Sequence, residues 1–180
     1  MSGADPIHRL AFEALLQPPG IREQHLDTEK ELASISPAER ERAFHIAARR
    51  LAFQVLYEVD AGSGDVGRVR ELLAGVEGLG PVILERIATL VHGAYEHRAE
   101  ADAEFQTLAP DWPAHRQAAV DRAILRLAHY EMSAGLAPVR VVVSEAVELA
   151  KHFSTEKSPA FINALLDRVL KRLCPEEVKE

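Results

Sequence analysis

The chain of 180 residues has a single cysteine, Cys174. One cysteine cannot staple a fold, which fits a reducing compartment, and its place near the C-terminus sets it apart from a nucleophile. A run of about 18 consecutive apolar residues is also missing, so no membrane span is expected. The N-terminus, MSGADPIHRLAF, puts an aspartate and a proline where a signal peptide needs basic residues followed by an apolar run. A cytoplasmic location is therefore expected. Basic charge is in deficit, with a formal net charge of −7. That balance argues against coating nucleic acid by bulk electrostatics. Any nucleic-acid surface must be built from particular residues, with a partner contributing affinity.

What is present is helical pattern. Hydrophobic residues make up 47% of the chain, enough for a real core. Glycine and proline fall mostly between periodic segments, and no segment alternates with period two for long, so the fold class is all-α. No internal repeat or low-complexity tract is evident. Ser36-Pro37-Ala38-Glu39 offers a helix start with a serine cap, proline at the first position and glutamate at the third. From there Phe44, Ala47, Ala48, Leu51, Ala52, Val55, Leu56 and Val59 recur at spacings of three and four, predicting one long amphipathic helix. A short helix is expected over 66–76 and a longer one from Pro81 to about Phe105. Another opens at Pro113 and ends near Gly135. The valine run after Pro138 resembles a strand, but Val139, Val142, Val143, Ala146, Leu149, Ala150 and Phe153 step by threes and fours, so helix is expected. After the polar break STEKS, Ser158 is expected to cap a last helix begun by Pro159, with a core stripe of Phe161, Ile162, Leu165, Leu166, Val169, Leu170 and Leu173.

Residues 1–36 read as a separate extension, helical or disordered. His8 to Leu16 can form a short helix, stopped by Gln17-Pro18-Pro19-Gly20. The stretch is acidic, with Arg9, Arg22 and Lys30 outnumbered by Asp5, Glu13, Glu23, Asp27, Glu29 and Glu31.

Little in the chain points to chemistry. AGSGDVG, residues 61–67, spells G-x-G-x-x-G, but a dinucleotide site needs those glycines after a buried strand, and here they follow a helix. No two histidines have the i, i+4 spacing that puts two imidazoles on one helical face, so no metal is expected. Glu148 and His152 share a face and read as a surface ion pair. Carboxylates lie beside lysine or arginine on polar faces, and no serine or cysteine sits at an activated turn. No cofactor is expected, and a binding protein is favoured over an enzyme.

VDRAILRLAHYEM at 120–132, then P-x-x-V-V-x-S-E-A-V-E-L-A-K-x-F from Pro138, STEKSPAFINALLDRVL, and the earlier ARRLAFQVLYEVD at 48–60 together resemble the NusB family of transcription antitermination factors. The resemblance spans about residues 40–173. It implies a domain over 37–175, made of an N-terminal bundle (37–108) and a C-terminal bundle (113–173), followed by a tail at 176–180. It also implies binding of boxA-containing RNA jointly with the ribosomal protein NusE, in an antitermination complex with RNA polymerase during ribosomal RNA transcription.

In the family an arginine-rich N-terminal segment and the turn between the last two helices meet RNA. Carried over, this picks out Arg42, His45, Arg49, Arg50, Gln54 and Tyr57 on the first long helix, and Phe153, Lys157, Ser158 and Phe161 around STEKS. The physics agrees: cations meet phosphates, aromatic faces take unstacked bases, and free amides at a helix start favour a phosphate. Arg49 and Arg50 are expected on the polar side of their helix. Phe153 and Phe161 also fall on apolar stripes, so a core role competes. Arg122 and Arg126 read as bundle ties.

Three departures from the family pattern stand out. The arginine cluster is diluted to ERERAFHIAARR, the extension at 1–36 has no counterpart, and Ser144 and Ala164 replace the usual asparagine and glycine. The extension could fold back over the basic helix and compete with RNA, or be inert. Two rival readings are a NusB-like module of an RNA cytosine methyltransferase, which needs a further domain and a catalytic cysteine, and a helical scaffold that has lost RNA binding. A homodimer is compatible with an exposed helical stripe.

Overall fold

The computed structural model describes residues 36–62, 65–73 and 81–175. The expected extension up to residue 35, the end of the short helix beyond Leu73 and the tail from 176 lie outside the described residues. Among the described residues all regular structure is helical: α1 (Pro37–Ala61), α2 (Val69–Leu73), α3 (Pro81–Glu96), α4 (Arg98–Leu108), α5 (Ala119–Ser133), α6 (Val139–Phe153) and α7 (Ser158–Leu173). Single 3-10 turns stand at Val66–Arg68 and Ala114–Arg116.

The start of α1 follows its sequence signature. Ser36 Oγ accepts from the Glu39 amide at 3.2 Å, and the Glu39 carboxylate accepts from the Ser36 amide at 2.7 Å, so each satisfies a donor that a helix end leaves open. The valine run is helical, as its period required, with Val142, Ala146, Leu149 and Ala150 buried. Gly62 follows α1, and Gly67 lies within a 3-10 turn, where Asp65 Oδ1 accepts from its amide at 2.8 Å.

Two expectations are corrected. The helix from Pro81 does not run unbroken to Phe105 but turns at His97, whose backbone (φ −91, ψ 10) leaves the helical region. Side chains compete for carbonyls there: His97 Nδ1 lies 2.9 Å from the Gly93 carbonyl, and Arg98 donates to the Tyr95 carbonyl at 2.6 Å. Likewise Pro113 precedes only a 3-10 turn. Gln117 is extended, and its side-chain amide donates to the Trp112 carbonyl at 3.1 Å, so α5 begins at Ala119.

The central element is α5, which packs against α1, α3, α4, α6 and α7. Its Ile124 and Leu125 are fully buried beside Leu90, Val91, Ile162 and Leu166. Where α3 crosses it, the Tyr130 ring lies on Gly93; a Cβ there would stand 1.9 Å from Tyr130 Cζ. The chain leaves α5 through Gly135 at φ +64, and the Leu136 amide returns to the Glu131 carbonyl at 3.0 Å.

Arginine and carboxylate pairs fasten the edges. Arg122 donates to Asp60 at 3.0 Å; Arg126 donates to Asp102 at 2.6 and 2.9 Å and to Asp60 at 2.8 Å, so both arginines tie the bundle as the sequence implied. Burial alone would lower the pKa of Arg126, but Asp102 and Asp60 outweigh it and raise it. Glu104 takes Arg172 at 2.6 and 2.9 Å and His129 at 2.9 Å, joining α4, α5 and α7. Burial pushes that carboxyl up, while Arg172 and His129 pull it further down, leaving it below the usual range.

Candidate nucleic-acid interface

The residues singled out on α1 divide between two faces. Arg49 is not on the polar side: it is 5% exposed, and its Nε and Nη2 donate to the Glu131 carboxylate at 2.8 Å. Glu131, 1% exposed, also accepts from Arg86 at 3.1 Å. Arg86 reaches on to the Leu136 carbonyl at 3.3 Å. A buried carboxylate demands such partners, because an unpaired charge in the interior costs several kcal/mol or more. The expectation that Arg49 points to solvent is thereby overturned, since the partner that turns it inward is 82 positions away.

Arg42 and His45 line a cavity of about 300 Å³ with Ala38, Ile46, Pro138, Val141 and Glu145, between the start of α1 and the start of α6. His45 is half-buried there, with Glu41 at 3.9 Å. Desolvation, and then the neighbouring Arg86 and Arg49 charges, hold its imidazole below the usual range, so the neutral form is favoured near pH 7. As a phosphate-binding cation His45 is therefore weaker than the sequence implied.

Arg50, Gln54 and Tyr57, spaced by four and three, form another edge of α1. Gln54, Tyr57 and Phe153 line one groove of about 490 Å³ together with Leu51, Val55, Glu58, Leu73 and Val120. Tyr57 is exposed. The Phe153 ring is half-buried, packs on Phe53 with centroids 5.2 Å apart, and carries the Arg50 guanidinium 5.1 Å from its centroid. Desolvation lowers the pKa of that arginine from its ordinary value. Phe153 thus serves the core and the groove at once, and joins the α1 edge to the end of α6.

The turn between α6 and α7 presents Lys157 to solvent as the residue that precedes α7. Ser158 does not cap α7. It is the first residue of that helix, 3% exposed, and its hydroxyl donates to Asp121 Oδ2 at 2.9 Å. Ser154 donates to Asp121 Oδ1 at 2.6 Å. Of the amides at that helix start, Ser158 N donates to the Thr155 carbonyl at 3.0 Å and proline at 159 has none to give, which leaves Ala160 for a phosphate. Phe161 is half-buried against the core. Glu148 pairs with Lys151, and His152 Nδ1 sits 2.8 Å from the Glu148 carbonyl.

Asp121, Ser154, Thr155, Arg86 and Glu131 were missed by pattern reading.

The NusB family model matches residues 46–171. The chain is 42% identical over 129 residues to the transcription antitermination protein NusB of Elusimicrobium minutum, covering 69% of this chain and 91% of that protein. It is 37% identical over 133 residues to that of Herpetosiphon aurantiacus, covering 72% and 91%. The solved structure of T. maritima NusB matches with a TM-score of 0.67 at 29% identity, over 73% of this chain and 94% of that one. A crystal structure of the antitermination factors NusB and NusE in complex with dsRNA matches with a TM-score of 0.65 at 26% identity, over 72% and 97%. The chain belongs to the NusB family.

Proposed function

We propose that this chain is a transcription antitermination factor that binds boxA-type RNA together with ribosomal protein NusE, within an antitermination complex with RNA polymerase during ribosomal RNA transcription. The solved relative that holds NusE and dsRNA supports the partner assignment. It works in the cytoplasm, and no catalytic step or cofactor belongs to this reading. Among the described residues no helix is long and apolar enough to cross a membrane.

The observation that carries the RNA assignment is the contact of Arg50 with Phe153. It joins a cation, an aromatic ring and the Gln54 and Tyr57 groove on one face, the combination that single-stranded RNA surfaces use. Lys157 and Phe161 extend that face along the turn, and Arg42 adds charge at the start of α1. Arg49 and Ser158 support the fold beneath it, and His45 lies with Arg42 on the other face of α1.

Amide chemical-shift mapping with a boxA RNA tests the assignment. Shifts are expected along residues 50–57 and 153–161. Shifts confined to α3 and α4 would move the site elsewhere.

A further inference from the structure

The turn between α6 and α7 is held by one buried anion from another helix. Asp121, in the first turn of α5 and 7% exposed, has each carboxylate oxygen engaged by a different serine: Oδ1 by Ser154 at 2.6 Å, Oδ2 by Ser158 at 2.9 Å. Ser158 Oγ also lies 2.9 Å from Ser154 Oγ and 2.8 Å from Thr155 Oγ1. Each hydroxyl has one hydrogen and can also accept, so these groups form one connected network. Both serines reach the carboxylate, and Thr155 joins the group through Ser158.

We propose that Asp121 is a positioning residue for RNA binding: through Ser154 and Ser158 it sets the shape of the turn that presents Lys157 and Phe161. The inference rests on the RNA-binding reading above. It makes a sign prediction that simple electrostatics opposes. An aspartate that is merely near RNA repels phosphate, and neutralising it tightens binding. A positioning aspartate, when neutralised, loosens binding. In Asp121→Asn the side-chain NH2 cannot accept, so one serine must reverse, and the hydrogen-bond chain through Thr155 is rewired.

The test has two arms on the full chain. Without RNA, Asp121→Asn is expected to raise amide hydrogen exchange at residues 155–158 while leaving the helical signal unchanged; unchanged exchange overturns the clamp. With a labelled boxA RNA and NusE, the same variant is expected to bind about tenfold more weakly, the scale of one lost charge-assisted hydrogen bond. The loss caused by Lys157→Ala is expected to shrink in its background, because a displaced lysine has less to lose. Equal or tighter binding by Asp121→Asn beside a wild type that binds overturns this inference alone. A wild type that binds no RNA in any condition overturns the RNA reading and this inference with it. If Asp121→Asn fails to fold, Ser154→Ala, which leaves the carboxylate on Ser158, is read by the same outcomes.

Discussion

Arg49 and Glu131 form a two-point ion pair inside the bundle, with Nε and Nη2 each 2.8 Å from a carboxylate oxygen and both side chains almost fully buried. Arg86 shares the same carboxylate at 3.1 Å, so one negative charge joins α1, α3 and α5. The most prominent arginine of the α1 motif is therefore a fastening between helices.

Arg49→Ala should destabilise the fold by about 3–5 kcal/mol, because it strands a buried carboxylate with one remaining partner. Urea unfolding measures this directly. The folded fraction of the variant is expected to keep its RNA affinity, and a selective loss of affinity at unchanged stability would return Arg49 to the RNA surface.

Arg50→Ala and Lys157→Ala should weaken RNA binding with the fold intact. Each is expected to reduce the slope of log affinity against log salt by about 0.7–1, the effect of one phosphate contact. An unchanged slope in both would remove this face from the interface.

Gly93→Ala sets two effects against each other. Alanine favours a helix over glycine by about 1 kcal/mol. The new methyl group would stand 1.9 Å from the Tyr130 ring. Overpacking of this kind costs about 1–3 kcal/mol, so the steric term wins and the melting temperature should fall. Adding Tyr130→Ala should relieve the clash, and a stabilised Gly93→Ala would show that α3 and α5 do not cross this way.

His45 gives a pH dependence whose sign follows from its environment. Its folded pKa lies below the ordinary 6.5, so in the window beneath 6.5 the unfolded chain binds the proton more readily. Stability from this group is present above that value and is lost as pH falls toward the folded pKa. Denaturant titrations between about pH 5.5 and 7.5 (a window of about one unit either side of an ordinary imidazole) should show a slope that His45→Gln reduces. An identical slope in the variant would assign the effect elsewhere.

Elements whose signals are local were legible in the sequence. The α1 start could be read from four residues, because a capping box closes within one turn. The helix at Val139–Phe153 could be read from its period despite valines that favour strands. What escaped was decided across the fold. Arg49 looks polar in its own helix, and only Glu131 on α5 explains its burial. Ser158 looks like a cap, and only Asp121 on α5 turns it inward. The break at His97, where the His97 and Arg98 side chains reach the Gly93 and Tyr95 carbonyls, leaves little trace in hydrophobic spacing. Of the candidate site, Gln54, Tyr57 and Phe153 line one groove, a grouping that neither helix pattern shows by itself because the residues lie on two separate helices.

The most direct measurement is fluorescence anisotropy of a labelled boxA RNA titrated with this protein, alone and with purified NusE, at two salt concentrations. Binding that weakens with salt and strengthens with NusE is predicted. An RNA that stays free in every condition, beside a folded protein, would contradict the account and favour a helical scaffold without an RNA function.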